Sequence, residues 1–126
     1  MKGIRALVTA GLVLGVFGCS SEDGDATLAG APKAPRMEEA IKMAGSLHVT
    51  WVNEEPACDG VELERRTTSP AGQVVADFAV VYRLPGAVDN KHDGTATEDA
   101  TYTYRARCVK AGQTSAYSNE ISANPK

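Results

Sequence analysis

Ser46-Leu47-His48-Val49-Thr50-Trp51 places Leu47, Val49 and Trp51 on one side of an extended chain and Ser46, His48 and Thr50 on the other. A period of two with one apolar side is the pattern of a half-buried β-strand. Working outward, Val61-Glu62-Leu63-Glu64 repeats the pattern ahead of Arg65-Arg66, and Ser69-Pro70-Ala71-Gly72 supplies a turn. Val74 to Tyr82 is β-branched and aromatic, and Leu84-Pro85-Gly86 ends it. Thr101 to Val109 alternates Tyr102, Tyr104, Ala106 and Cys108 against Thr103, Arg105 and Arg107. Ala111-Gly112-Gln113 reads as a hairpin into a last strand around Ala116 to Ser122. Arg36 to Ala44 is ambiguous: Met37, Ile41 and Ala44 fall at helical spacing after Pro35, with Glu38 and Glu39 near a helix start. An isolated helix of that length needs a face to pack on, so the segment is read as an irregular first strand, with a short helix as its alternative. About seven short strands separated by turn residues point to an all-β sandwich.

The order of these pieces resembles a fibronectin type III domain, an immunoglobulin-like β-sandwich. The resemblance rests on Pro35, on Gly45-Ser46-Leu47-x-Val49-x-Trp51 for strand B, and on Gly60-Val61-x-Leu63-x-Arg65 for strand C. It continues with Asp93 ahead of the loop into strand F, Tyr102-Thr103-Tyr104-Arg105-Ala106-Arg107 for that strand, and Gly112-x-x-Ser115-x-Tyr117-Ser118-Asn119-Glu120 opening strand G. It covers nearly all of residues 34–126 and departs from the family at Val61, where a tyrosine is usual. The resemblance implies a core built on Trp51, Tyr102 and Tyr104. Tyr102 would serve as a tyrosine corner whose hydroxyl ties down the chain entering strand F. The Arg-Gly-Asp tripeptide of some animal members is absent from this sequence.

The first twenty residues have a different character. Lys2 and Arg5 precede an uncharged run from Ala6 to Phe17, closed by Gly18-Cys19. That layout is a secretory signal peptide, too short for a stable membrane span. Its Val16-Phe17-Gly18-Cys19 ending resembles the lipobox of bacterial lipoproteins, with Phe17 where a small residue is usual. The resemblance implies a signal peptide over 1–18, lipidation of Cys19, and a lipidated flexible tether over 19–33 that opens on Ser20-Ser21-Glu22-Asp23-Gly24-Asp25. Two or three acyl chains on one cysteine anchor a protein stably, where a single chain holds it only marginally. Ser20 in place of aspartate implies, under the sorting rule of enteric bacteria, an exported protein anchored in the outer membrane.

The signal segment carries two of the 13 basic residues and none of the 16 acidic ones, leaving 11 against 16 and a net charge of −5. That balance gives no electrostatic case for nucleic acid. With Cys19 acylated, Cys58 and Cys108 remain in an oxidising compartment, and one connectivity is open to them. Register raises an objection to that bridge. Pairing outward Glu62 with Arg105 sets Asp59, not Cys58, opposite Cys108, so the bridge needs a bulge or turn at Glu54-Glu55-Pro56-Ala57.

Catalytic chemistry finds little footing. There are two histidines, His48 on the outward side of its strand and His92 in a loop, with no nucleophile elbow or phosphate loop beside them. Asp89-Asn90-Lys91-His92-Asp93-Gly94 approaches a calcium loop, but Lys91 stands where an oxygen donor belongs, so it is read as a solvated loop whose backbone Asp93 fixes. No catalytic residue, metal ligand or cofactor site is assigned, and the chain is not read as an enzyme. Trp51 alternates with core residues and is read as core rather than as a sugar-stacking platform, while Tyr82 and Tyr117, near strand ends, are the candidate contact surface. The expected function is a lipid-anchored cell-envelope binding or scaffolding module working through protein contacts. A carbohydrate- or cell-wall-contacting accessory module is the alternative.

Overall fold

The structure, a computed structural model, describes residues 30–126. The expected signal peptide, Cys19 and nearly all of the expected tether lie outside the described residues. The unit Pro32–Lys126 is built from strands, with no helix among the described residues. In chain order these are β1 Arg36–Met43, β2 Ser46–Val52, β3 Gly60–Thr68, β4 Val74–Pro85, β5 Asn90–Asp93, β6 Thr101–Lys110, β7 Gln113–Thr114 and β8 Ile121–Ala123. One sheet has the order β1-β2-β5; the other runs β4-β3-β6-β7, with β8 also pairing β6. All pairings are antiparallel.

The segment Arg36 to Ala44 is a strand up to Met43, irregular between Met37 and Glu39. Its helical spacing loses because Met37 is buried in the core and pairs with Trp51 across the sheet. Two-residue hairpin turns join β1 to β2 and β6 to β7. In both, an alanine and a glycine take positive φ: Ala44 at 54° and Gly45 at 76°, Ala111 at 51° and Gly112 at 77°. Both central residues in that region match the right-handed twist of the flanking strands.

Leu47, Val49 and Trp51 from β2 meet Val61 and Leu63 from β3 and Tyr102, Tyr104 and Ala106 from β6 in one core between the two sheets. Antiparallel register defines two ends. One carries the start of β1, the end of β2, the start of β3 and the end of β6, with Arg36 opposite Val52 and Gly60 opposite Val109. The other carries the β1–β2 turn, with Met43 opposite Ser46, and the start of β6, with Thr68 opposite Thr101.

Three expectations need correction. Glu62 lies opposite Arg107 and Glu64 opposite Arg105, not Glu62 opposite Arg105. This register satisfies both ion pairs at once, whereas the other would set Glu64 against Thr103. The last strand is not continuous over Ala116 to Ser122; residues 115–120 belong to neither β7 nor β8. Their serines take over the ladder: Ser115 and Ser118 hydroxyls accept the Cys108 and Ala106 amides, each at 2.8 Å. Finally, His92 and Asp93 lie not in a solvated loop but in β5, which pairs with β2.

Candidate functional site

The outer face of the larger sheet carries a ladder of charged and aromatic side chains. Alternation sends Glu62 and Glu64 of β3 and Arg105 and Arg107 of β6 to this face, directly opposite each other. Arg107 donates to Glu62 at 2.8 Å, and Arg83 of β4 reaches the same carboxylate at 3.4 Å. Arg105 lies 2.8 Å from Glu64, whose other oxygen accepts the Tyr117 hydroxyl at 2.8 Å. The Arg105 guanidinium is held between two rings, 4.0 Å from the Phe78 centroid and 3.6 Å from that of Tyr117. Arg66 covers Phe78 from one side and Arg107 flanks Tyr117 at the other. The hydrogen bond to Glu64, helped by burial, raises the Tyr117 hydroxyl above its ordinary pKa, and the hydrogen bond to Glu62 raises Arg107. Such rings and guanidinium groups attract through the ring quadrupole, with strength that grows as water is excluded.

The second cluster is internal. Asp93, at the end of β5, is fully buried. Its carboxylate accepts from Arg65 at 2.8 Å, Tyr104 at 2.6 Å, Tyr82 at 3.2 Å, and from the Thr95 amide and hydroxyl at 3.1 and 2.7 Å. Burial alone would raise its pKa; the bonds from Thr95, Tyr104 and Arg65 outweigh burial and hold it below the ordinary carboxylate range. Burial, then the carboxylate itself, pushes the Tyr104 and Tyr82 hydroxyls upward. Since Arg65, Tyr82 and Tyr104 belong to the larger sheet, this polar knot ties the two layers together.

The structure distributes the singled-out residues as follows. Trp51, Tyr102 and Tyr104 are buried. The Tyr102 hydroxyl accepts the Thr97 amide at 3.0 Å, pinning the chain that leads into β6. Tyr117 is exposed and forms part of the outer ladder. Tyr82 is not on that surface: it is half-buried, turned toward Asp93, with Lys91 over its ring. Cys58 and Cys108 form a disulfide with Cα atoms 5.7 Å apart. The register objection is met as the sequence requires: Val61 lies opposite Cys108, and a turn at residues 55–57 places Cys58 ahead of β3 and outside the ladder. Strand alternation does not bind a residue placed there. Phe78 and Arg66 are not singled out by the sequence, whereas alternation with core residues marks Arg105 and Arg107 as outward, facing the outward glutamates.

No protein-family model matches the chain, and no curated protein matches it. Solved structures do resemble it. A myokine structure superposes with a TM-score of 0.60 at 16% identity, over 75% of this chain and 97% of that one. The pectate lyase PelI from Erwinia chrysanthemi gives a TM-score of 0.58 at 16% identity over 74% of this chain. This chain spans only 28% of the lyase. At such identity the likeness is one of fold: an all-β sandwich of two antiparallel sheets.

Proposed function

We propose that the chain is a lipid-anchored binding or scaffolding module of the cell envelope whose sandwich is of the fibronectin type III kind and works through protein contacts. The sheet orders β1-β2-β5 and β4-β3-β6-β7, with a buried Trp51 and the Tyr102 corner, support the fold assignment. One observation carries the function: Arg105 stacked between Phe78 and Tyr117 on an open sheet face. Arginine and tyrosine dominate binding hot spots, and side chains already fixed in place lose little entropy when a partner docks. Lipid on Cys19 would hold the module to the membrane while the tether of residues 19–33 gives it reach.

The test is photo-crosslinking, in its own cells, of the full chain from position 83, whose side chain is 74% exposed beside the ladder. Capture of an envelope protein is expected, with loss of capture in the Phe78→Ala, Tyr117→Ala double variant whose circular dichroism matches the parent. Capture unchanged in that variant, or retention of the protein on cell-wall polysaccharide alone, would overturn the reading. Cys19→Ser should release the protein or leave it as uncleaved precursor, and an unlipidated, correctly cut product from the parent sequence would remove the anchor.

A further inference from the structure

We propose that His48 and His92, with Met43 diagonal to His48, form a copper site on the outer face of the three-stranded sheet. These are the chain's two histidines, and the antiparallel register of β2 and β5 sets them directly opposite one another. Their ring centroids stand 6.1 Å apart with 30° between the planes. A metal held at about 2.0–2.1 Å by one nitrogen of each ring fixes the centroids roughly 5–6.5 Å apart. The observed spacing therefore needs no backbone movement, and turning the exposed His92 ring about χ2, a broad torsion, brings its lone pair round.

Three further observations favour a ligand. The Nδ1 of His48 is shielded from solvent and has no hydrogen-bond partner. Lys91, next in sequence to His92, lies over the Tyr82 ring at 4.6 Å, on the core side of the sheet, so its charge is held away from the pair. Met43 is 43% exposed, and its place opposite Ser46, with Ile41 opposite His48, makes it the diagonal neighbour of His48 on the same face. Diagonal neighbours lie roughly 7–8 Å apart at the backbone, within reach of a long side chain. Imidazole suits copper(II), zinc and nickel, with copper(II) bound most tightly among the divalent ions, and a thioether adds preference for copper(I). No group of three or more His, Cys, Asp or Glu converges among the described residues, so the thioether is the third donor at hand.

The experiment titrates copper(II), and separately copper(I) buffered by a chelator of known affinity, into the full chain while imidazole resonances are followed. One copper per chain is expected, with both histidines perturbed together. His92→Gln, at an exposed position and with its fold checked by circular dichroism, should weaken copper(II) at least about tenfold. Met43→Leu should weaken copper(I) by about the same factor and leave copper(II) binding unchanged. Equal copper(II) affinity in the parent and His92→Gln would overturn the site, because binding would then belong to other donors. An unchanged copper(I) affinity in Met43→Leu would remove the thioether from it.

Discussion

At one end of the sandwich a cystine ties the connection between the sheets to β6; toward the other end a buried carboxylate of the smaller sheet gathers five hydrogen bonds, three from the larger sheet and two from Thr95 just beyond β5. The first closure is covalent and indifferent to proton concentration. Around it lie solvent-facing contacts: Glu55 accepts from Lys110 at 2.8 Å and from the Lys33 amide at 2.8 Å, and Asp59 accepts the Ala111 amide at 2.7 Å. The second closure depends on one ionised group, Asp93, and on donors that satisfy it. Each end therefore fails under a different stress, reductant at one and acid at the other.

The largest expected effect comes from breaking the covalent end. Cys58→Ala with Cys108→Ala opens a sequence separation of 50 residues. In the chain-entropy account a loop of that size stabilises by about 4 kcal/mol. Urea unfolding of the oxidised parent and the double variant measures it. A loss under about 1 kcal/mol would mean that this end is held by packing and surface contacts instead.

Asp93→Asn attacks the other end. It leaves Arg65, whose side chain is 21% exposed, facing a neutral amide, and the amide cannot accept all the donors a carboxylate takes. Breaking a buried pair costs roughly 3–5 kcal/mol, and the partial exposure of Arg65 places this case at about 3. The pH dependence has a definite sign. Because the folded pKa of Asp93 is lowered, its contribution is fully present above the unfolded value of about 3.9 and is lost as pH falls through the folded value. Stability of the parent should drop below about pH 4, and the Asn variant should show less of that drop. Glu55 is also lowered, first by its Lys110 hydrogen bond, so Glu55→Gln is the matching control at the disulfide end. Equal acid sensitivity in the parent and Asp93→Asn would separate Asp93 from the acid response.

How far the sequence disclosed these two ends differs for a physical reason. Leu47, Val49, Trp51, Val61 and Leu63 announce the core because alternation is a local property of a strand, and every one of them is buried. The cystine is expected if acylation of Cys19 on export leaves two thiols, though the register set against it is two residues out. A slip of two preserves which face each residue occupies, so the outward Glu and Arg residues survived the error while their partners were exchanged. Asp93 was hidden. An acid among Asn, Lys, His and Gly reads as a loop, and the partners that make its burial affordable, Arg65, Tyr82 and Tyr104, come from distant strands. The histidine pair was hidden in the same way, since β5 had to be recognised before His92 could be set against His48.

A smaller effect sharpens the account of the covalent end. A Cβ built on Gly86 would fall 1.8 Å from the Cys58 carbonyl oxygen, so the β4–β5 turn packs backbone to backbone on the cystine's own segment. Gly86→Ala must push the two apart, at a cost of about 1–3 kcal/mol. If the disulfide is what fixes that segment, the cost should fall by at least about 0.5 kcal/mol in the cysteine-free background, a coupling that a double-mutant cycle reads directly. Strict additivity would show that the turn and the bridge act independently.

The smallest effect compares the ends with the same chemistry at each. Ala44 lies in the turn on the Asp93 side and Ala111 in the turn on the cystine side, both at positive φ and both followed by a glycine that is also at positive φ. Alanine is disfavoured there because its Cβ approaches the following carbonyl, whereas asparagine visits this region readily and is preferred ahead of glycine in such turns. Ala44→Asn and Ala111→Asn should each stabilise the domain, by about 0.5–1 kcal/mol. Their dependence on conditions then tells the ends apart. At neutral pH under oxidising conditions the two gains should be alike. If the ends loosen separately, reduction should erode the gain at Ala111, whose hairpin joins β6 to β7 immediately beyond Cys108, and acid should erode the gain at Ala44. Gains that rise and fall together under both stresses would show that the sandwich unfolds as one cooperative unit, with neither end yielding first.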